Sequence, residues 1–199
     1  MVFALLSAVG VCASGQERAF SGCGGGMMVH AGYMAGSNTV APVPLQGVLF
    51  GLGGQMNVTL WRHWRIGAEG CVSTLNSQCT KYRGQLADGS YIRNGYGGLQ
   101  TDAIWQCGRL LPFVGATIGG GAMHTLMILD GSKDDWNAER NTVFNHQGYF
   151  FVMPYLGVEY VATKAIHLTF RVDWQAALRK GRLLLPTAIN ARIGILFCH

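Results

Sequence analysis

The stretch that decides the fold class is Ile166-His167-Leu168-Thr169-Phe170-Arg171-Val172-Asp173-Trp174-Gln175. Ile166, Leu168, Phe170, Val172 and Trp174 fall on one parity, and His167, Thr169, Arg171, Asp173 and Gln175 on the other. Successive side chains of a strand point to opposite faces, so as a strand this segment has one wholly apolar face and one wholly polar face. Wound at 3.6 residues per turn, the same residues would show no sustained separation of apolar from polar faces. The chain repeats the pattern at its end, where Ile189, Ala191, Ile193, Ile195 and Phe197 oppose Asn190, Arg192, Gly194, Leu196 and Cys198. Earlier, Ile66, Ala68, Gly70, Val72 and Thr74 oppose Arg65, Gly67, Glu69, Cys71 and Ser73.

Noisier alternation elsewhere completes eight predicted strands, at about 24–34, 45–60, 65–76, 91–106, 112–127, 147–161, 165–176 and 186–198. The first is the least regular, because the adjacent Met27 and Met28 blur its phase. Most reach the roughly 9–11 residues that a tilted strand needs to cross a bilayer. Short connections fall at Trp61–Trp64, at Cys107–Leu111 and near Thr163-Lys164, and longer ones at about 35–44, 77–90, 128–146 and 177–185. That alternation of turn lengths is the rhythm of outer-membrane barrels, whose even strand number brings both termini to the periplasmic end.

Composition agrees. Of 199 residues 49% are hydrophobic and only 13% charged, about half the usual charged share, which disfavours an ordinary soluble globule. No apolar run after the first fifteen residues approaches the roughly 18 to 20 of a membrane-spanning helix. The 29 glycines are spread along the chain, neither gathered in linkers nor set in a collagen period. Gly119-Gly120-Gly121 and Gly51-Leu52-Gly53-Gly54 have neither the strand-to-helix context nor the Lys of a phosphate loop, and read as close-packed points in curved strands.

Residues 1–15 read as a secretory signal peptide, with an apolar run from Val2 to Cys12 followed by the small residues Ala13, Ser14 and Gly15. No Lys or Arg precedes Arg18 to form a basic leader. Residues 16–199 are then one barrel domain. The six cysteines, 12, 23, 71, 79, 107 and 198, show no metal-type spacing, so no metal or other cofactor is expected. Closing a barrel pairs the first strand with the last and brings Cys23 near Cys198, and a bridge there requires Cα atoms within about 7 Å.

Period two alone leaves the outward face open, so a soluble, lipocalin-like barrel with an apolar interior is the competing architecture. The polar face is mostly Gly, Gln, Asn, Ser and Thr, too weakly charged to solubilise an exterior. Trp61, Trp64, Trp105, Tyr160 and Trp174 lie near strand ends, as interfacial girdles do. The expectation is an all-β, eight-stranded antiparallel up-and-down transmembrane β-barrel with its apolar face toward lipid.

The strand-turn rhythm, the segment Leu111-Pro112-Phe113-Val114-Gly115-Ala116-Thr117-Ile118-Gly119-Gly120-Gly121 after a short turn, and the closing strand that alternates to Phe197 resemble the small outer-membrane barrels of the OmpA, OmpX and OmpW kind over residues 24–199. The resemblance implies a bacterial outer-membrane location with periplasmic termini and extracellular long loops. It also implies insertion by the barrel-assembly machinery, with Ile193, Ile195 and Phe197 as the assembly signal. The chain departs from the pattern by running past Phe197 into Cys198 and His199.

With the apolar face outward, Arg65, Glu69, Asp102, Glu159, Arg171, Asp173 and Arg192 are all enclosed, three cations among four anions. An interior of eight strands is only wide enough for side chains to fill it, so these charges need one another as partners. A narrow passage stays open as the alternative, since the OmpW-like resemblance implies transit of small apolar solutes and Leu49, Ile104, Met123 and Met153 share the inward parity. His30, His124, His146 and His167 come with no nucleophile signature, so no enzymatic activity is expected. The net charge of +5 concentrates in turns and in Arg179, Lys180 and Arg182, which suits lipid head groups better than nucleic acid. The polar loop from Asp130 to His146, with Asp134, Asp135 and Trp136 at its middle, is the candidate surface for an external ligand.

Overall fold

The computed structural model of the chain describes residues 20–35, 46–76, 91–128, 142–179 and 182–198. They form eight strands: β1 (Phe20–Ala35), β2 (Gln46–Leu60), β3 (Trp64–Asn76), β4 (Tyr91–Ile104), β5 (Leu110–Ile128), β6 (Thr142–Val161), β7 (Ile166–Arg179) and β8 (Arg182–Cys198). Each pairs antiparallel with the next, and β8 returns to β1 to close an up-and-down barrel. Closure leaves no unpaired sheet edge, the condition for strands to cross a bilayer. None of the described residues is helical. The predicted signal peptide 1–15, Asp134, Asp135, Trp136 and Lys180 lie outside the described residues.

Parity becomes geometry along every strand. In β8 Ile189, Ile193, Ile195 and Phe197 are exposed while Asn190, Arg192 and Leu196 are buried. The phase in β1 is unambiguous: Met27 is 69% exposed and Met28 3%, so two adjacent methionines serve lipid and core respectively. The outer wall is lined by Leu52, Met56, Ile66, Val72, Leu99, Ile118, Leu156, Leu168 and Phe170, all exposed. So continuous an apolar wall would be untenable in water and is at home in lipid. Trp61, Trp64, Trp105 and Tyr160 gather exposed at the short-turn end. Trp174 stands apart from them, farther along β7 beside Ile189, whose other neighbour is Tyr33.

Several boundaries differ from the sequence expectation. β5 starts at Leu110 and β6 at Thr142, so the connection between β5 and β6 is confined to 129–141. β4 stops at Ile104, which leaves Trp105 in the turn. The expected long loop at 177–185 is replaced by continued pairing, with Ala177 opposite Leu184, Leu178 opposite Leu183 and Arg179 opposite Arg182. Pro186 falls where the β7–β8 register shifts, after Gln175 opposite Ala188. Lacking an N–H, a proline interrupts a ladder, and here pairing resumes beyond it.

Two tight places shape the wall. In the β2–β3 turn the His63 N–H donates to the Leu60 carbonyl at 3.2 Å, with φ of 47° at Trp61 and 63° at Arg62. Positive φ at both central residues is the hairpin geometry that normally selects Asn-Gly. On the wall Gly98 stands opposite Gly119. A Cβ on Gly119 would lie 2.2 Å from the Gly97 carbonyl oxygen and 2.5 Å from Gly98 Cα, so only glycine allows this approach of β4 and β5.

Candidate functional site

The inward face is stratified from the short-turn end to the long-loop end. Nearest the turns, a vestibule of about 960 Å³ is lined by Trp61, Arg62 and Lys164 at its rim and by Arg65, Glu159 and His167 deeper in. Its floor is an ion cluster. Arg65 Nε donates to Asp102 Oδ1 at 2.6 Å, and its Nη1 donates to Glu159. His167 Nδ1 stands 3.4 Å from the other oxygen of Glu159, and Tyr155 donates its hydroxyl to Asp102 at 2.9 Å. Gly115, opposite Asp102, makes room for that carboxylate, because a Cβ there would come within 2.4 Å of Asp102 Cβ.

A second cluster lies farther in. Arg171 and Arg192 are direct cross-strand partners on β7 and β8, which alone would repel. Glu69 and Asp173 hold them together. Arg171 grips Glu69 through two nitrogens, at 2.8 and 3.0 Å, the bidentate geometry that suits a planar guanidinium, and Arg192 Nη1 is 3.7 Å from the same carboxylate. Arg192 Nε meets Asp173, which also accepts from Asn190 Nδ2 at 2.8 Å and lies 3.5 Å from Arg171 Nε. The Arg171 guanidinium lies over the Tyr155 ring at 3.9 Å, and Arg192 donates to the Tyr96 hydroxyl. Every charged member of both clusters except His167 is at most 5% exposed. Burying ions at this depth is tolerable only when each finds a partner and hydrogen bonds.

Beyond the charges the chemistry changes. His30 Nδ1 and Cys71 Sγ approach to 3.3 Å beside Phe151 and Met153. Tyr149 donates to Asn94 and accepts from Gln175 at 3.1 Å. Toward the long loops Met34, Leu49, Leu75, Ile92, Met123 and Ala188 pack into one buried apolar cluster, with Tyr149 against it. Seven of the eight strands contribute to that plug.

The seven charged residues singled out from sequence thus fall into two groups, Arg65 with Asp102 and Glu159, and Arg171 and Arg192 with Glu69 and Asp173. Their partners His167, Tyr155, Tyr96 and Asn190 carried no motif, although all four share the inward parity. Of the four apolar residues considered as a solute lining, Leu49 and Met123 belong to the plug, Met153 packs with Tyr96 and Phe151, and Ile104 packs with Leu111, Phe113 and Tyr155. Ile193, Ile195 and Phe197 form an exposed outward row at the end of β8. Cys23 and Cys198 are both free thiols; Cys198 stands opposite Gly24 rather than Cys23, so a bridge between them needs a one-residue slip of β1 on β8. No cluster of three or more metal-ligating side chains occurs among the described residues.

No family model matches the chain. No curated protein matches it by sequence either. Among solved structures, Neisserial surface protein A (NspA) superposes with a TM-score of 0.64 at 12% identity, covering 89% of this chain and 97% of its own. OprG, an outer membrane protein of Pseudomonas aeruginosa, gives 0.56 at 10% identity over 91% of this chain and 97% of its own. Ail, the attachment invasion locus protein of Yersinia pestis, gives 0.54 at 6% identity over 90% and 99%. The chain has the fold of these small outer-membrane barrels.

Proposed function

We propose that the chain is an integral protein of a bacterial outer membrane without enzymatic activity. Both chain ends and the three short turns face the periplasm, and residues 36–45, 77–90 and 129–141 are presented outside the cell. In this role the barrel is a scaffold and contact with the surroundings is made by the loops, the segment around Asp134, Asp135 and Trp136 foremost. The observation that carries the reading is the filled lumen, with two ion clusters beneath an apolar plug built from seven strands. A barrel so filled offers its loops rather than its bore. Insertion would use the barrel-assembly machinery, with Ile193, Ile195 and Phe197 as the recognised end of β8. Ail, a barrel of the same fold, carries attachment and invasion in its name.

A second reading, a narrow passage for small and in part apolar solutes, rests on the vestibule, which enters the bore from the turn end as far as Arg65 and Glu159. It requires the plug to move.

Surface proteolysis of intact cells tests the proposal. Trypsin should cut at Lys81, Arg83, Lys133 and Arg140 in the long connections and spare Arg62, Arg109 and Lys164 in the short turns until the membrane is broken. Cleavage of intact cells at the short turns, with the long connections spared, would contradict it.

A further inference from the structure

All four carboxylates among the described residues, Glu69, Asp102, Glu159 and Asp173, are buried in the lumen. The outward wall therefore carries no described acid. Among strand residues whose side chains are described, its basic groups are Arg93, His124 and His146. They are not scattered. Arg93 on β4 is the direct partner of His124 on β5, which is the direct partner of His146 on β6. All three are exposed, and the two imidazole rings lie 4.2 Å apart, centroid to centroid. Tyr91 lies under the Arg93 guanidinium at 4.7 Å, and Phe144, 64% exposed, is 6.4 Å from His124. None of the three basic groups has a carboxylate within salt-bridge distance among the described residues.

The row sets Arg93 directly opposite one imidazole and that imidazole directly opposite another, so protonating either histidine would bring like charges face to face, a cost that a bound anion would offset. Depth shows where that anion would come from. Twelve residues separate Arg93 from Trp105 in the short-turn girdle. At a rise of ~3.3 Å per residue and a tilt of ~40°, they lie about 30 Å apart along the membrane normal. His124 and His146 are fourteen residues from Leu110 and Tyr160, which gives about 35 Å. One girdle at the near interface therefore puts the row at the far one, in the polar zone just outside a hydrocarbon layer of about 30 Å.

We infer that Arg93, His124 and His146 form a binding site for the phosphate of a membrane lipid head group in the leaflet on the long-loop side. The guanidinium would supply a fork of donors to two phosphate oxygens and the imidazoles one N–H each, all from neighbouring strands of a rigid wall. Tyr91 and Phe144 would flank the lipid where head group meets acyl chain, the place aromatic side chains favour.

The test uses the full chain folded in an uncharged detergent, with native mass spectrometry as the readout and dioleoyl phosphatidic acid, dioleoyl phosphatidylcholine and inorganic phosphate as probes. The parent should retain one phosphatidic acid molecule at least about tenfold more strongly than phosphatidylcholine. Combining Arg93→Gln, His124→Gln and His146→Gln should remove that preference. Arg62→Gln with Lys164→Gln, at the opposite rim, should leave it intact. Heat-modifiable migration on gels confirms that each variant is folded, and a variant that fails this check is replaced by the single changes, of which Arg93→Gln should lose most. Equal retention by parent and triple variant would overturn the assignment, as would equal loss in the opposite-rim control. Displacement by millimolar inorganic phosphate would show a site for free anions and overturn the lipid assignment. None of these outcomes depends on what the loops contact.

Discussion

The charged clusters and the apolar plug occupy the same inward parity of the same strands, yet they close the lumen by opposite means. Arg65, Arg171 and Arg192 reach acids contributed by β3, β4, β6 and β7, and each contact demands a particular atom at a particular angle. Met34, Leu49, Leu75, Ile92, Met123 and Ala188 demand only volume. The difference teaches where the barrel gets its register. A slip of one residue would turn Arg171 and Asp173 toward lipid, whereas a plug residue so turned would merely join an apolar wall. The charged half thus specifies one pairing of the strands, and the plug adds burial that many pairings could supply.

Size-matched substitutions break this comparison most sharply. Glu69→Gln keeps the shape but leaves Arg171 and Arg192 side by side with Asp173 alone, and should cost about 3–5 kcal/mol, as removing one member of a buried ion pair does. Arg171→Ala should fall in the same range, read from urea unfolding in micelles. In the plug, Leu75→Ala should cost about 2–5 kcal/mol through the cavity it leaves, whereas the volume-conserving Leu49→Met should cost less than about 1.5 kcal/mol. If Glu69→Gln proves as mild as Leu49→Met, the charges are hydrated and the two halves do not differ in kind. Replacing Glu69 and Arg171 together by Leu and Met sharpens the contrast, since a whole pair exchanged for apolar residues should recover most of the single-variant loss. The smallest effect is expected in the β2–β3 turn. Arg62→Gly, which leaves the girdle residue Trp61 in place, should gain about 1 kcal/mol by releasing one positive-φ residue, without altering the response to Glu69→Gln.

The same comparison explains what could be read from the chain. Where the interior is charged, parity is stark, and β7, β8 and the start of β3 declare their faces directly. Where it is apolar the two faces look alike: Met27 and Met28 differ from 69% to 3% exposure with nothing in their chemistry to separate them, and the plug is invisible as a unit. Which charges meet is also beyond periodicity. Arg65 and Glu159 are 94 residues apart and meet only because the closed barrel brings β3 and β6 across one lumen. His167, Tyr155 and Asn190 share the inward parity, but a partner's role depends on height along the barrel, which the stagger of the strands sets. The β7–β8 connection is expected at 177–185 because Arg179, Lys180 and Arg182 read as a charged loop, whereas the strands stay paired as far as Arg179 opposite Arg182, across a register shift at Pro186.

Conductance of the parent chain in planar bilayers tests the closed lumen most directly. With the ion clusters paired and the plug in place, folded protein should add no steady conductance above the lipid baseline over a range of applied potentials. Stable, ohmic steps from a heat-modifiable, folded preparation would contradict the closed interior and make the vestibule the entrance of a pore.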